Sequence, residues 1–189
     1  KDAGGWRMSR GINRAKNAQH AIYESVNSSK YCVFISHKYE DLEAAREIAA
    51  YIQDSEIDVY LDDNDDGLQE AAENNDSEKI VRCIETALKS STHILVLITE
   101  NARKSWWVPY ETGYAKNGGK NIASLLLKNV DEFPDYLKIE TMLTGYESLS
   151  GYIKNIYKDM KPYTTFFESV LTDVSDIHKS KLLKYIRSF

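Results

Sequence analysis

No run of this sequence approaches the roughly 18 consecutive apolar residues that a membrane span needs. The opening stretch "KDAGGWRMSRG" also lacks the apolar core of a secretion signal, so a chain that stays in the cytoplasm is expected. There is no initiator Met, which points to a few residues upstream. Cysteine is scarce. Cys32 and Cys83 are the only two, neither has a CxxC partner, and both read as buried thiols in a reducing compartment. The four histidines, His20, His37, His93 and His178, are too widely spaced to suggest a His-based metal site, and no metal is expected. Basic excess is missing as well. With 24 Lys and Arg against 29 Asp and Glu, the net charge of −5 argues against a general nucleic-acid binder. Neither GxGxxG nor GxxxxGK[ST] occurs, which disfavours a Rossmann dinucleotide fold and a P-loop.

What is present is alternation. "YCVFIS" (31–36), "IDVYL" (57–61), "HILVLI" (93–98) and "IASLLL" (122–127) read as strands, three of them continuous apolar runs suited to burial on both faces. Between them, Leu42–Ile52, Ser77–Leu88 (Ser77 as N-cap) and Trp106–Lys116 carry apolar residues at helical spacing. Gly118 and Gly119 stop the last of these. Strand and helix in turn imply an α/β, flavodoxin-like, doubly wound parallel sheet of four to five strands. Ligands of such sheets bind beyond the carboxyl ends of the strands.

The 189 residues, 42% of them hydrophobic, suffice for one domain with extensions. Residues 1–29 read as a basic helical lead-in, with a helix over Ile12–Val26. Residues 30–160 form the α/β domain, with a short helix and turn over "DEFPDYLKIETMLTG" and a helix over "SGYIKNIYKDM". Residues 161–189 form a C-terminal helical extension packed on that domain.

One stretch has the spacing of another fold. In "LDDNDDGLQEAAE", Asp62, Asn64, Asp66, Gly67 and Glu73 occupy positions one, three, five, six and twelve of an EF-hand calcium loop. The incoming segment alternates as a strand, however, position eight is Gln69 rather than apolar, and no second hand exists. From Asp54 to Glu78 the chain is acidic with no Lys or Arg, the mark of a solvated, self-repelling surface. Residues 63–76 are therefore expected to be a mobile acidic loop, with the basic lead-in as one group able to meet it.

Three motifs in order carry a family likeness. "VFISHKYED", "DVYLDD" and "SWWVPYETGYA" resemble the first strand, second strand and third helix of Toll/interleukin-1 receptor (TIR) domains, the last with that family's WxxxE pattern at Trp107–Glu111. The likeness covers roughly Ser29 to Met160. It implies one of two roles. Some members act only as modules for TIR–TIR association. Others, bacterial, plant and one animal axon-degeneration protein among them, cleave NAD at the nicotinamide–ribose bond. A compact single-TIR chain further resembles the signal-producing component of Thoeris anti-phage defence, whose ADP-ribose product activates a downstream effector. An effector that depletes host NAD is the other enzymatic version. NAD would be substrate, with no bound cofactor and no membrane partner. A receiver domain fits less well, because the third strand ends in "ITEN", with Glu100 and no phosphoacceptor Asp.

The resemblance makes Glu111 the catalytic residue. A nicotinamide leaving group departs neutral and needs no general acid, so one carboxylate that steadies an oxocarbenium-like ribose is chemically enough. Trp107, one helical turn before Glu111, would wall the pocket, and Trp106 is expected to pack inward. The resemblance places Ser36, His37, Lys38 and Tyr39 on the nucleotide rim, with Lys38 toward phosphate and His37 or Tyr39 toward a base. Asp62 and Asp63, at the end of the second strand, are the acids expected to touch substrate. Arg103 and Lys104 are weaker phosphate candidates.

Overall fold

The computed structural model describes residues 10–17, 31–160 and 167–189. Its centre is a five-stranded sheet: β1 (Cys32–Ser36), β2 (Asp58–Tyr60), β3 (His93–Ile98), β4 (Asn121–Leu126) and β5 (Thr141–Leu143). The strands are ordered β2-β1-β3-β4-β5 and all pair in parallel. Direction of winding reverses between β1 and β3, so the crevice beyond their carboxyl ends is where a ligand is expected.

Every residue of β1, β2 and β3 is buried, which explains their apolar runs. Period-two alternation divides β1 between two cores. Val33 and Ile35 pack with α1 (Leu42–Asp54), α5 (Tyr146–Met160) and the end of α6 (Phe167–Leu182). Cys32 and Phe34 pack with α3 (Ser77–Ser90) and α4 (Trp107–Asn117). Ser36 continues the second set, and this places its hydroxyl on the α4 side.

Five sequence expectations change. First, the stretch after β2 is not a loop. A 3-10 turn over Asp62–Asn64 leads into α2 (Asp66–Glu73), whose buried Ala71 anchors it and whose N-cap is Asp65, accepting from the Leu68 N–H at 3.0 Å. A helix beginning at position five of the would-be calcium loop rules out that loop's geometry. Second, α3 is capped one residue earlier than expected, by the Asp76 carboxylate on the Lys79 N–H. Third, the fifth strand lies where a turn was read. Fourth, Ile12 and Asn13 are extended beside β2 rather than helical, and a 3-10 turn follows over Arg14–Asn17. The rest of that expected helix lies outside the described residues. Fifth, Cys83 is only partly buried, whereas Cys32 is fully buried and its thiol is pushed up to about 11 by desolvation.

The C-terminal residues sit on the α1 and α5 side. Leu182 and Ile186 join the core there, His178 Nε2 lies 2.7 Å from Asp54 Oδ2, and the Tyr146 N–H donates to the Arg187 carbonyl at 2.8 Å. Among the described residues no helix is long and apolar enough to cross a membrane.

Candidate active site

Glu111 lies in the second turn of α4, facing inward between α4 and the sheet, with only 6% of its surface exposed. Ser36, the last residue of β1, donates a 2.5 Å hydrogen bond from Oγ to Glu111 Oε2. Ser36 is itself buried. The pair therefore spans the switch point, β1 giving the hydroxyl and the helix after β3 giving the carboxyl. Burial raises the Glu111 carboxyl to about 8. The Ser36 hydrogen bond opposes that rise and the negative charge of Asp62 adds to it. A carboxyl held protonated near neutrality at the mouth of an α/β crevice is a mark of a functional group.

His37 and Asp62 complete the cluster. The His37 ring is covered, its Nδ1 3.2 Å from the Ile35 carbonyl, which turns Nε2 toward Asp62 Oδ1 at 3.7 Å. Partial burial raises the Asp62 carboxyl and proximity to His37 works against it. Two carboxyls and an imidazole thus share one electrostatic neighbourhood, drawn from the ends of β1 and β2 and from α4.

The other predicted residues are placed differently. Asp63 turns toward α1, where Arg46 Nε donates to its Oδ2 at 2.8 Å. Lys38 is partly exposed, 4.0 Å from Glu40, and Tyr39 is largely exposed on the rim. Trp107 packs edge-on against Tyr110, ring centroids 6.0 Å apart, and is more than a third exposed. Its ring therefore belongs to an aromatic row on the outer side of α4, where Tyr110 and Tyr114 both donate to Glu85 of α3. Trp106 does not pack inward: it is 92% exposed. Arg103 is paired with Glu100 at 3.1 Å.

A second polar group at the same end of the sheet was not anticipated. Asp41 accepts from Thr99 Oγ1 at 2.5 Å and from Asn101 Nδ2 at 3.0 Å, tying the turn after β1 to the turn after β3. It borders a cleft of about 380 Å³ that also touches Lys128 and Tyr185. The available signal was slight: an Asp and a Thr, each just past a strand. Among the described residues no group of three or more His, Cys, Asp or Glu is arranged to hold a metal ion.

The profile of the family described as "TIR domain" matches residues 33–150, which include Ser36, His37, Asp62 and Glu111. Two curated relatives are similar at low identity. One is named "Putative cyclic ADP-D-ribose synthase TIR2", from Cytobacillus dafuensis, 28% identical over 109 residues. That match takes in 56% of this chain and 28% of the relative. The other is named "Probable 3' cyclic ADP-D-ribose synthase ThsB'", from Bacillus cereus (strain MSX-D12), 26% identical over 112 residues. Here the match takes in 59% of this chain and 57% of the relative.

Proposed function

This chain belongs to the TIR domain family, and from that premise we propose that it cleaves the nicotinamide–ribose bond of NAD, with Glu111 as the catalytic carboxylate. The observation that carries the reading is the Glu111 carboxyl itself, buried at the switch point and held by Ser36 at 2.5 Å. Nicotinamide leaves neutral from a cationic ring, so the barrier lies in the positive charge that builds on the ribose. A carboxylate fixed in a water-poor crevice opposes that charge more strongly than one in bulk water. At rest the carboxyl is mostly protonated, and the approach of the cationic nicotinamide ring of NAD favours its ionisation, with the proton released to solvent. The same oxygens then accept from the ribose hydroxyls. Ser36 keeps the carboxyl oriented through the step. His37 and Asp62 line the far side, and Lys38 and Tyr39 lie on the rim for phosphate and base.

The product is nicotinamide with linear, cyclic or conjugated ADP-ribose. The names of the relatives favour cyclisation, in which a second group of the bound substrate, rather than water, reaches the anomeric carbon. Such a product suits an intracellular immune signal read by a separate effector, as in Thoeris-type anti-phage defence. Self-association through TIR–TIR contacts belongs to the active state. The exposed Trp106 and Tyr39 on the rim support it, and also favour the second reading, a TIR module that acts by association alone.

Incubation of the whole chain with NAD, with products followed by mass spectrometry, separates the two. Nicotinamide release that is abolished in Glu111→Ala supports the enzyme. Release that survives Glu111→Ala removes Glu111 from the chemistry. Absence of turnover at every concentration tested, including those at which the chain self-associates, favours the association module.

A further inference from the structure

Upstream of the family match, the described residues Gly11 to Asn13 run along the edge of the sheet. The Gly11 N–H donates to the Gln53 carbonyl at 2.8 Å, and Gln53 Nε2 returns a 2.9 Å bond to the Gly11 carbonyl. Approach is so close that a Cβ at Gly11 would sit 2.1 Å from the Ile57 carbonyl oxygen, a place only glycine can take. The Val59 N–H then donates to the Ile12 carbonyl at 2.9 Å, and Asn13 bridges Val59 in parallel. This short strap covers the free edge of β2. Arg14 anchors it: Nε and Nη2 both reach Asp58 Oδ2, at 3.0 and 2.9 Å, and Nη1 reaches the Ser90 carbonyl at 2.8 Å.

At Arg14 the backbone leaves the edge, one step before the ladder would reach Leu61. The Asn13 side chain takes over. Its Nδ2 donates to the Leu61 carbonyl at 3.1 Å and its Oδ1 accepts from the Leu61 N–H at 3.1 Å. A side-chain amide thus replaces the peptide group of a neighbouring strand. Leu61 is buried and lies beyond the three-residue β2–β1 ladder, so its two backbone groups depend on Asn13. The next residue is Asp62, which faces His37 and whose charge reaches Glu111.

We infer that Asn13 is a positioning residue for the Glu111 site, acting through the Leu61 backbone to fix Asp62. The inference rests on the NAD-cleaving reading for its effect on rate, but not for its effect on structure. It extends the working unit upstream of the matched residues to the strap itself.

The test compares the full chain with Asn13→Ala and with Gln53→Ala, which loosens the strap at Gly11 without touching Leu61. Two readouts need no turnover. Hydrogen exchange should quicken at Leu61 and Asp62 at least tenfold in Asn13→Ala, with β1 unchanged. Titration of the Glu111 carboxyl by carbon NMR should show a lower midpoint, because a displaced Asp62 no longer repels the ionised form. The third readout is nicotinamide release against pH, whose acid limb should move down in Asn13→Ala and stay in place in Gln53→Ala. Unchanged exchange at Leu61 and an unchanged Glu111 midpoint overturn the positioning role even if activity falls. If both move while the wild type releases no nicotinamide, the positioning stands and the NAD reading is what fails.

Discussion

Ser36 and Glu111, separated by 75 positions in the chain, share a 2.5 Å hydrogen bond across the switch point of the sheet. That bond favours the ionised carboxyl, whereas burial and Asp62 favour the neutral one. Ser36→Ala should therefore raise the Glu111 midpoint above its present value of about 8. A hydrogen bond to a charged group contributes about 1.5–3 kcal/mol, so nicotinamide release at neutral pH should fall roughly tenfold or more. The loss should be smaller at alkaline pH. An acid limb that stays where it is in Ser36→Ala would separate the serine from the carboxyl's titration.

The same carboxyl shapes stability. Its folded midpoint is raised from 4.5 to about 8, so over that interval the unfolded chain has already released the proton that the folded chain retains. The stability it contributes is complete below 4.5 and is lost as pH rises through 8, at about 1.4 kcal/mol per pH unit. Glu111→Gln, neutral throughout, should show no such decline. Urea titrations of both proteins at pH 5 and pH 8 measure it; parallel behaviour would mean that Glu111 ionises freely in the fold.

His93 acts in the opposite direction. It begins β3 at the far end of the sheet, buried, with Nδ1 2.8 Å from Thr92 Oγ1 and Nε2 3.3 Å from Asn121 Nδ2. Desolvation lowers it from 6.5 to about 4, with the charge of Asp159 opposing. Between those values the unfolded chain binds a proton that the folded chain refuses. Its contribution is therefore present above 6.5 and lost as pH falls through 4. His93→Gln should flatten the acid side of the stability profile. Thermal melts between pH 4 and 7 that superimpose in slope would contradict this.

Arg14 and Asp58 form a buried ion pair, each side chain exposing under a tenth of its surface. Removing one partner strands the other charge, at about 3–5 kcal/mol. Arg14→Ala should lower the midpoint of chemical unfolding substantially. Joint replacement with Met and Leu should recover most of the loss, because the cost comes from the unpaired charge. A double variant as unstable as the single one would place the loss in packing instead.

The strands of this protein were legible because each interior strand is an apolar run buried on both faces. β5 was not: two of its three residues are exposed, and nothing in "TML" distinguishes a short edge strand from a turn. The stretch 63–76 reads as loop from its acidity, yet the Asp65 cap and the buried Ala71 make a helix of it. WxxxE locates Glu111, but it does not reveal that Trp107 packs edge-on against Tyr110. Neighbouring tryptophans look alike in sequence, yet Trp106 falls at the N-cap of α4 and stays in solvent. Asn13 had no periodicity to betray it, because its role lies in one side-chain amide imitating a backbone.

The sheet order has a consequence for the time at which the protein becomes competent. Ser36 and His37 are made early and Asp62 soon after, but Glu111 follows β3, which must insert beside β1 before α4 can close over it. Parallel crossovers of this kind form late, since each joins segments far apart in the chain. A partly synthesised chain ending before α4 thus holds Ser36, His37 and Asp62 but lacks the Glu111 carboxyl. Chemistry that needs Glu111 therefore has to wait until α4 has been made and has packed against the sheet.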